Sequence, residues 1–203
     1  MGRRHQGHTF MPGKFVFPGG RIEAGDRGMV AAGALHPRAE AALNASVSRP
    51  SEQRGRALAL AAIRETFEET GLLLGTKEHG APEPVPQGPW TAFREHGVFP
   101  DLESMALVAR AITPPGRPKR FDTRFFAVDR EAIAAEVAGV IGPDAELIEL
   151  VWVTLAEAPD LDLPTITQVV LEELQDRLAA GFSQDLPIPF YHERRGRFVR
   201  ELL

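Results

Sequence analysis

The chain contains no cysteine, which excludes disulfide cross-links and thiolate metal sites. It has no uninterrupted apolar run approaching the roughly 18 to 20 residues that a membrane-spanning helix needs, so no membrane partner is expected. The opening Met1-Gly-Arg-Arg-His5 is basic but has no apolar stretch behind it. It therefore does not read as a secretory leader, and a cytoplasmic location is the default expectation. There is no excess of positive charge either: 23 Lys and Arg against 28 Asp and Glu give a net charge of -5. That balance argues against general nucleic-acid binding through a basic surface. An acidic protein that handles a polyanionic substrate needs metal ions or a local Arg cluster to offset repulsion.

What the chain does have is enough apolar sequence, 43% of 203 residues, to bury a core. The length fits a single domain spanning residues 1–203. Residues 14–18 read as a short strand running into a turn at Gly19-Gly20. A short helix is expected over Ala39 to Ala45, and a strong one from about Gln53 to Thr70. The strong helix ends at Gly71, where a left-handed cap belongs. The proline-rich stretch 80–90 is a surface loop. Met105 to Ile112 and Phe121 to Val128 form an antiparallel strand pair, Glu131 to Val137 is helical, and Leu147 to Thr154 is a strand. Pro164 to Ala180 is an amphipathic helix opened by proline, and the basic tail from Pro187 to Leu203 forms a hairpin. This order fits an α/β protein with a mixed sheet between helices.

The segment richest in chemistry is Arg64-Glu-Thr-Phe-Glu-Glu-Thr-Gly-Leu72. At about 100° per residue, Glu65, Glu68 and Glu69 fall within roughly one 100° sector of a helix. Leu60, Ile63 and Phe67 fall on the opposite side. The helix thus buries one face and projects three carboxylates from the other. Taken alone, E-x-x-E-E is ordinarily a solvated acidic surface. Crowded carboxylates repel, however, and like charges at this spacing weaken a helix. Hard cations such as Mg²⁺ or Mn²⁺, which prefer oxygen ligands, are the natural relief.

Arg64 to Leu72 resembles the second half of the box that defines the Nudix hydrolase family, Arg-Glu-apolar-x-Glu-Glu-x-Gly-apolar, with Thr66 at the apolar position. Phe17-Pro-Gly-Gly-Arg-Ile-Glu-Ala-Gly-Asp26 resembles the first half, with Asp26 where the family usually has Glu. The departure is in spacing: 37 residues separate Asp26 from Arg64, where the family has about seven. An insertion over about residues 27–56 that leaves and returns at one point adds little closure entropy, which grows only with the logarithm of length. A branch of the family near the peroxisomal coenzyme A diphosphatases is similar in carrying such an insertion.

The resemblance implies a Nudix-type α/β/α sandwich with a helical insertion in its loop–helix–loop. It also implies a metal-dependent hydrolase that cleaves a P–O–P bond in a nucleoside-diphosphate-linked small molecule by water attack. Glu65, Glu68 and Glu69, with the backbone carbonyl of Gly19, are implied to bind two to three Mg²⁺ or Mn²⁺ ions. Glu65 is also the implied catalytic base, with Glu146 or Glu149 from a later segment as alternatives. Arg64 is implied to brace the catalytic loop by pairing with a box carboxylate, and Asp26 is an accessory acid. Gly20 lets the backbone approach metal and phosphates without a Cβ.

Upstream of the box, Arg4 and Gly13 fall where family coenzyme A diphosphatases have Arg and Gly, whereas His5 and Thr9 do not match. Phe10-Met-Pro-Gly13 and Val16-Phe-Pro-Gly-Gly20 resemble the insertion-bearing branch. Coenzyme A or an acyl-coenzyme A is accordingly the leading substrate, giving 3′,5′-ADP and the phosphopantetheine half. Arg3, Arg4 and Arg124 are the candidate cations for its extra phosphate. The alternatives are an ADP-ribose or dinucleotide pyrophosphatase, and a non-catalytic Nudix-fold nucleotide-binding module. The six histidines show no ligand-like spacing. Trp152 reads as core and Trp90 as a loop anchor, while Phe190 and Tyr191 read as packing residues or as the wall of a groove. Family domains normally have a strand ahead of the one leading to Arg4. Either the chain is shortened there or another segment, the C-terminal tail or a partner chain, covers that edge. Because an uncovered edge would invite pairing with another chain, a homodimer is expected.

Overall fold

The computed structural model describes residues 1–7 and 11–203; His8, Thr9 and Phe10, the last part of the upstream resemblance, lie outside the described residues. In chain order the elements are β1 (Gly2–Arg4), β2 (Phe15–Val16), α1 (Ala24–Gly28), α2 (Pro37–Asn44), α3 (Glu52–Thr70) and β3 (Leu72–Leu74). These are followed by α4 (Trp90–Glu95), β4 (Ala106–Ile112), β5 (Asp122–Ala127), β6 (Ile133–Glu136) and β7 (Leu147–Leu150). The chain closes with α5 (Thr165–Ala179), β8 (Pro189–Arg194) and β9 (Arg197–Leu202). The strands form three sheets, ordered β2-β1-β7, β3-β6 and β5-β4-β8-β9. In the four-stranded sheet β4 runs antiparallel to β5 and parallel to β8, so it is mixed, as the sequence leads one to expect.

β4 is buried on both faces, which is why its sequence Ala-Leu-Val-Ala-Arg-Ala-Ile shows no polar alternation. Leu107 joins the main core with Leu43, Leu60, Ile63, Leu73, Trp90 and Phe93. Val108 and Ala109 pack on the other side with Val170 of α5, Phe17 and Phe125. Helices therefore lie on both sides of this sheet, the α2–α3 layer on one and α5 on the other. Trp90 is buried and its ring meets Phe93 at 4.9 Å, and Phe93 meets Phe67 of α3 at 5.8 Å. It is an anchor beneath α3. Phe190 is core, and the Tyr191 hydroxyl donates to Glu173 of α5.

α3 forms where the apolar periodicity requires it: Leu60 and Ile63 are fully buried, while Glu65 and Glu68 look outward. Its stop is set by Gly71, whose φ of 79° is left-handed. A Cβ there would lie 2.2 Å from the Val137 carbonyl oxygen. The Gly71 carbonyl in turn accepts from Val137 N–H at 2.8 Å, which fastens the helix end to the end of β6.

Three expectations are corrected. Glu131 to Val137 is a 3₁₀ turn, Arg130–Ala132, followed by strand β6. Its Glu and Ala residues favour a helix in isolation, but β3 offers a ladder (Leu72↔Glu136, Leu73↔Ala135, Leu74↔Ile133) and Ile133, Ala134 and Ala135 pack on the main core. Tertiary pairing overrides local propensity. The strand expected to run to Thr154 stops at Leu150, and Trp152 beyond it is 69% exposed, with the Arg130 guanidinium 5.4 Å from its ring centroid. Finally, β1 has no open edge: β2 pairs on one side and β7 on the other, both antiparallel. That strand gives no ground for a homodimer. Among the described residues no helix is long and apolar enough to cross a membrane.

Gly71→Ala should destabilise the protein by about 2 kcal/mol or more, from the left-handed penalty together with the backbone overlap. Urea unfolding of the two proteins measures it.

Candidate functional site

The two halves of the acidic motif meet, despite the 37 residues between them. Asp26 sits in α1, a one-turn helix opened by a reciprocal cap in which the Glu23 N–H donates to the Asp26 carboxylate at 2.7 Å. Asp26 has no solvent exposure and Arg64 only 1%. Arg64 Nε donates to Asp26 Oδ1 at 2.8 Å, and Nη2 to Oδ2 at 3.3 Å and to the Arg21 carbonyl at 2.7 Å. The remaining Nη1 faces the helix's own carboxylates, 2.9 Å from Glu65 and in an ion pair with Glu68. Burial works against the Arg64 charge, but the Asp26 hydrogen bond and the Glu65, Asp26 and Glu68 carboxylates outweigh it and raise its pKa. The guanidinium is locked inside and braces the Gly19–Gly20 loop through Arg21.

That loop lies against the carboxylates. The Gly19 N–H donates to Glu69 Oε1 at 3.4 Å. At Gly20 a Cβ would fall 2.1 Å from Glu65 Oε1, so any side chain there would displace the Glu65 carboxylate. Thr66, the departure from an apolar residue, returns its hydroxyl to the Ala62 carbonyl at 2.8 Å and leaves no polar atom unmet.

The electrostatics are those of a partly compensated acidic cluster. Burial first, then the charges of Glu146 and Glu65, push the Glu69 carboxyl up to about 8, against the Gly19 N–H and the Arg4 charge. Burial also raises Glu65; Arg64 opposes this, and Glu68 and Glu23 add to it. Glu146 enters from just before β7, paired with Arg4 of β1. Glu149 instead pairs with Arg3 at 2.7 Å. Among the described residues, no group of three acidic or histidine side chains is gathered tightly enough to hold a metal ion. Glu65 and Glu68 turn toward Arg64, and Glu69 turns toward Gly19. The donor set nevertheless suits a hard cation: the side-chain donors are carboxylate oxygens, with a glycine cradle beside them and like charges that a cation would relieve.

Glu65, Glu68, Glu69, Gly19, Gly20, Arg64, Asp26 and Arg4 thus assemble around the C-terminal end of α3. Arg124 does not join them. It lies on β5 near Arg54, in the first turn of α3, and its Nη1 is 3.0 Å from Asp122. Counting from Arg54 to Glu65 at 1.5 Å per residue, that is about 16 Å up the helix. The strand register, invisible in sequence, puts it there. Glu23 was overlooked, although Glu followed three residues later by Asp is a capping-box spacing that could have marked both α1 and its acid.

No family model matches the chain, and no curated protein does. Among solved structures, the crystal structure of a Nudix hydrolase from Alicyclobacillus acidocaldarius is similar, with a TM-score of 0.59 and 28% identity over 84% of this chain and 80% of that one. The mixed α/β architecture is that of a Nudix hydrolase. The likeness supports placing this chain in the Nudix family, as a hydrolase acting on pyrophosphate bonds.

Two outcomes follow from the buried charges. Asp26→Ala should lose about 3–5 kcal/mol in urea unfolding, because Arg64 is left buried without its principal partner. The raised Glu69 pKa means that its contribution to stability is complete below the ordinary value of 4.5 and fades as pH climbs through about 8. In chelator-treated protein, Glu69→Gln should therefore gain melting temperature relative to wild type between about pH 5 and 9. A gap that does not change with pH would contradict the assignment.

Proposed function

We propose that the protein is a metal-dependent diphosphatase that cleaves the P–O–P bond of a nucleoside diphosphate linked to another group, with coenzyme A or an acyl-coenzyme A as substrate. The observation that carries the reading is the placement of Glu65, Glu68 and Glu69 at one end of α3, against Gly19–Gly20 and fastened by the buried Asp26–Arg64 pair. Glu65, Glu68, Glu69 and the Gly19 carbonyl would hold two to three Mg²⁺ or Mn²⁺ ions. Such ions supply charge neutralisation at the diphosphate and a more acidic water.

The chain's own part is positioning and proton transfer. Arg64 fixes the loop and the helix relative to each other and, being buried, does not touch substrate. Glu65, raised by burial and held beside Gly20, accepts the proton of the attacking water. Glu146, whose charge bears on Glu69, is better placed than Glu149 to share that work. Gly20 leaves room for the phosphates. Arg4 stands beside Glu146 and Glu69 with its Nε buried and unpartnered, which supports a contact to a substrate phosphate. The coenzyme A reading rests on Arg4, Gly13 and the Val16-Phe-Pro-Gly-Gly20 resemblance. Arg124, at the far end of α3, adds nothing to it.

The test is turnover with Mg²⁺ or Mn²⁺ over coenzyme A, acetyl-coenzyme A, ADP-ribose and NADH, with products read by mass. We expect 3′,5′-ADP from the coenzyme A compounds, and a fall in kcat of about a hundredfold or more in Glu65→Gln with unfolding unchanged. Faster release of AMP from ADP-ribose or NADH would keep the diphosphatase and replace the leaving group. Absence of turnover on every compound would favour a nucleotide-binding module.

A further inference from the structure

A concentration of charge of the opposite sign lies at the other end of α3. Arg110 of β4 and Arg124 of β5 are register partners on adjacent strands. Arg110 is buried and fully met by the protein: Nε and Nη2 donate to the Asp122 carboxylate at 2.8 and 2.9 Å, Nη1 donates to the Ala45 carbonyl at 2.7 Å, and the guanidinium lies 4.5 Å from the Phe190 ring centroid. Arg124 is not met. Its side chain is only 3% exposed, and its Nη1 reaches the Asp122 carbonyl at 2.6 Å and carboxylate at 3.0 Å. Nε and Nη2 are buried with no hydrogen-bond partner. Donors left unmet on a buried cation are unfavourable, more so than on a neutral group.

Arg54, half-buried in the first turn of α3, adds a third guanidinium whose charge bears on Arg124. A cation in the first turn of a helix faces the wrong end of its dipole, and Ser51, the N-cap of this 19-residue helix, makes no side-chain capping bond. Arg110 and Arg124 thus share one carboxylate, Asp122, in a chain whose net charge is -5. The Asp122 side chain is 34% exposed, whereas Arg124 Nε and Nη2 have essentially no accessible surface, so an ion reaches them only as neighbouring side chains move aside. Burial lowers the Arg124 pKa, and repulsion from Arg110 and Arg54 adds to this against the pull of Asp122.

We propose that Arg124, Arg54 and the start of α3 bind a phosphate-type oxyanion, at a site separate from the carboxylate end of the same helix. A tetrahedral oxyanion accepts hydrogen bonds in the paired geometry that a guanidinium edge presents. It would supply acceptors to Arg124 Nε and Nη2 and favourable charge to both Arg54 and the helix start. The inference is independent of the proposed catalysis and concerns a different set of residues. The ion is either free phosphate or the phosphoryl group of a nucleotide.

The experiment uses the full chain treated with a chelator, so that binding through metal does not contribute. Inorganic phosphate and AMP are titrated separately by calorimetry, and melting temperatures are followed in parallel. We expect one or both to bind and to raise the melting temperature, with affinity at least tenfold weaker in Arg54→Gln and in Arg124→Gln and unchanged in Glu69→Gln. A response to phosphate itself identifies the free ion, and tighter binding of AMP identifies a phosphoryl group carried on a nucleotide; both support the site. No response to either probe, or a response that survives intact in Arg54→Gln, overturns it. Arg54 is only half-buried, so its variant keeps the test decisive if Arg124→Gln fails to fold.

Discussion

A guanidinium placed inside a protein must find acceptors for all its donors, and its charge must be met, or the desolvation is not recovered. Arg64 satisfies that demand by drawing three separate pieces of chain together: Asp26 of α1, the Arg21 carbonyl of the glycine loop, and the carboxylates of its own helix. The glycine loop is held where Gly19 donates to Glu69 and Gly20 lies against Glu65. The position of the acidic face relative to the loop, and so everything that face can do, depends on this one buried contact.

The contact also explains how a long excursion is tolerated inside the motif. The chain leaves α1, builds α2 and returns as α3, yet Asp26 and Arg64 end 2.8 Å apart. α2 and the residues around it are not idle, since Met29, Leu35, Ala39, Ala42 and Leu43 contribute to the main core. The excursion is therefore held by apolar burial as well as closed at its base by the ion pair.

α3 carries opposite charge at its two ends. Carboxylates crowd its C-terminal turn, where the helix dipole disfavours them, and Arg54 stands in its first turn, where the dipole disfavours a cation. The C-terminal end is thus electrostatically strained relative to an ordinary helix, while at the N-terminal end Glu52 in the same turn offsets part of the Arg54 charge. At one end, part of the strain falls on a carboxyl pushed up to about 8, and at the other on a guanidinium with two unmet nitrogens. Groups perturbed by burial together with specific charged neighbours cluster at functional sites.

The sequence by itself determined what depends on local spacing. The 3.6-residue period placed Leu60 and Ile63 inward and Glu68 outward, whereas packing left Glu65 half-buried and Glu69 buried against the expectation of three outward carboxylates. Gly71 ended the helix because its backbone must turn left-handed. The two half-motifs were legible for the same reason: each is a short run of residues whose chemistry is set within a few positions. Tertiary structure decided what depends on distant partners. Residues 133–136 became a strand because β3 offered a ladder and the core offered burial. Trp152 lay outside because its strand ended at Leu150. Arg124 went to the far end of α3 because strand register, which a sequence does not display, sets where along a sheet a side chain emerges. Arg4 and Glu146, 142 residues apart, met beside Glu69 because β1 pairs with β7. The spacing of residues along a helix is fixed by bond geometry, whereas the pairing of strands is chosen by the free energy of the whole fold.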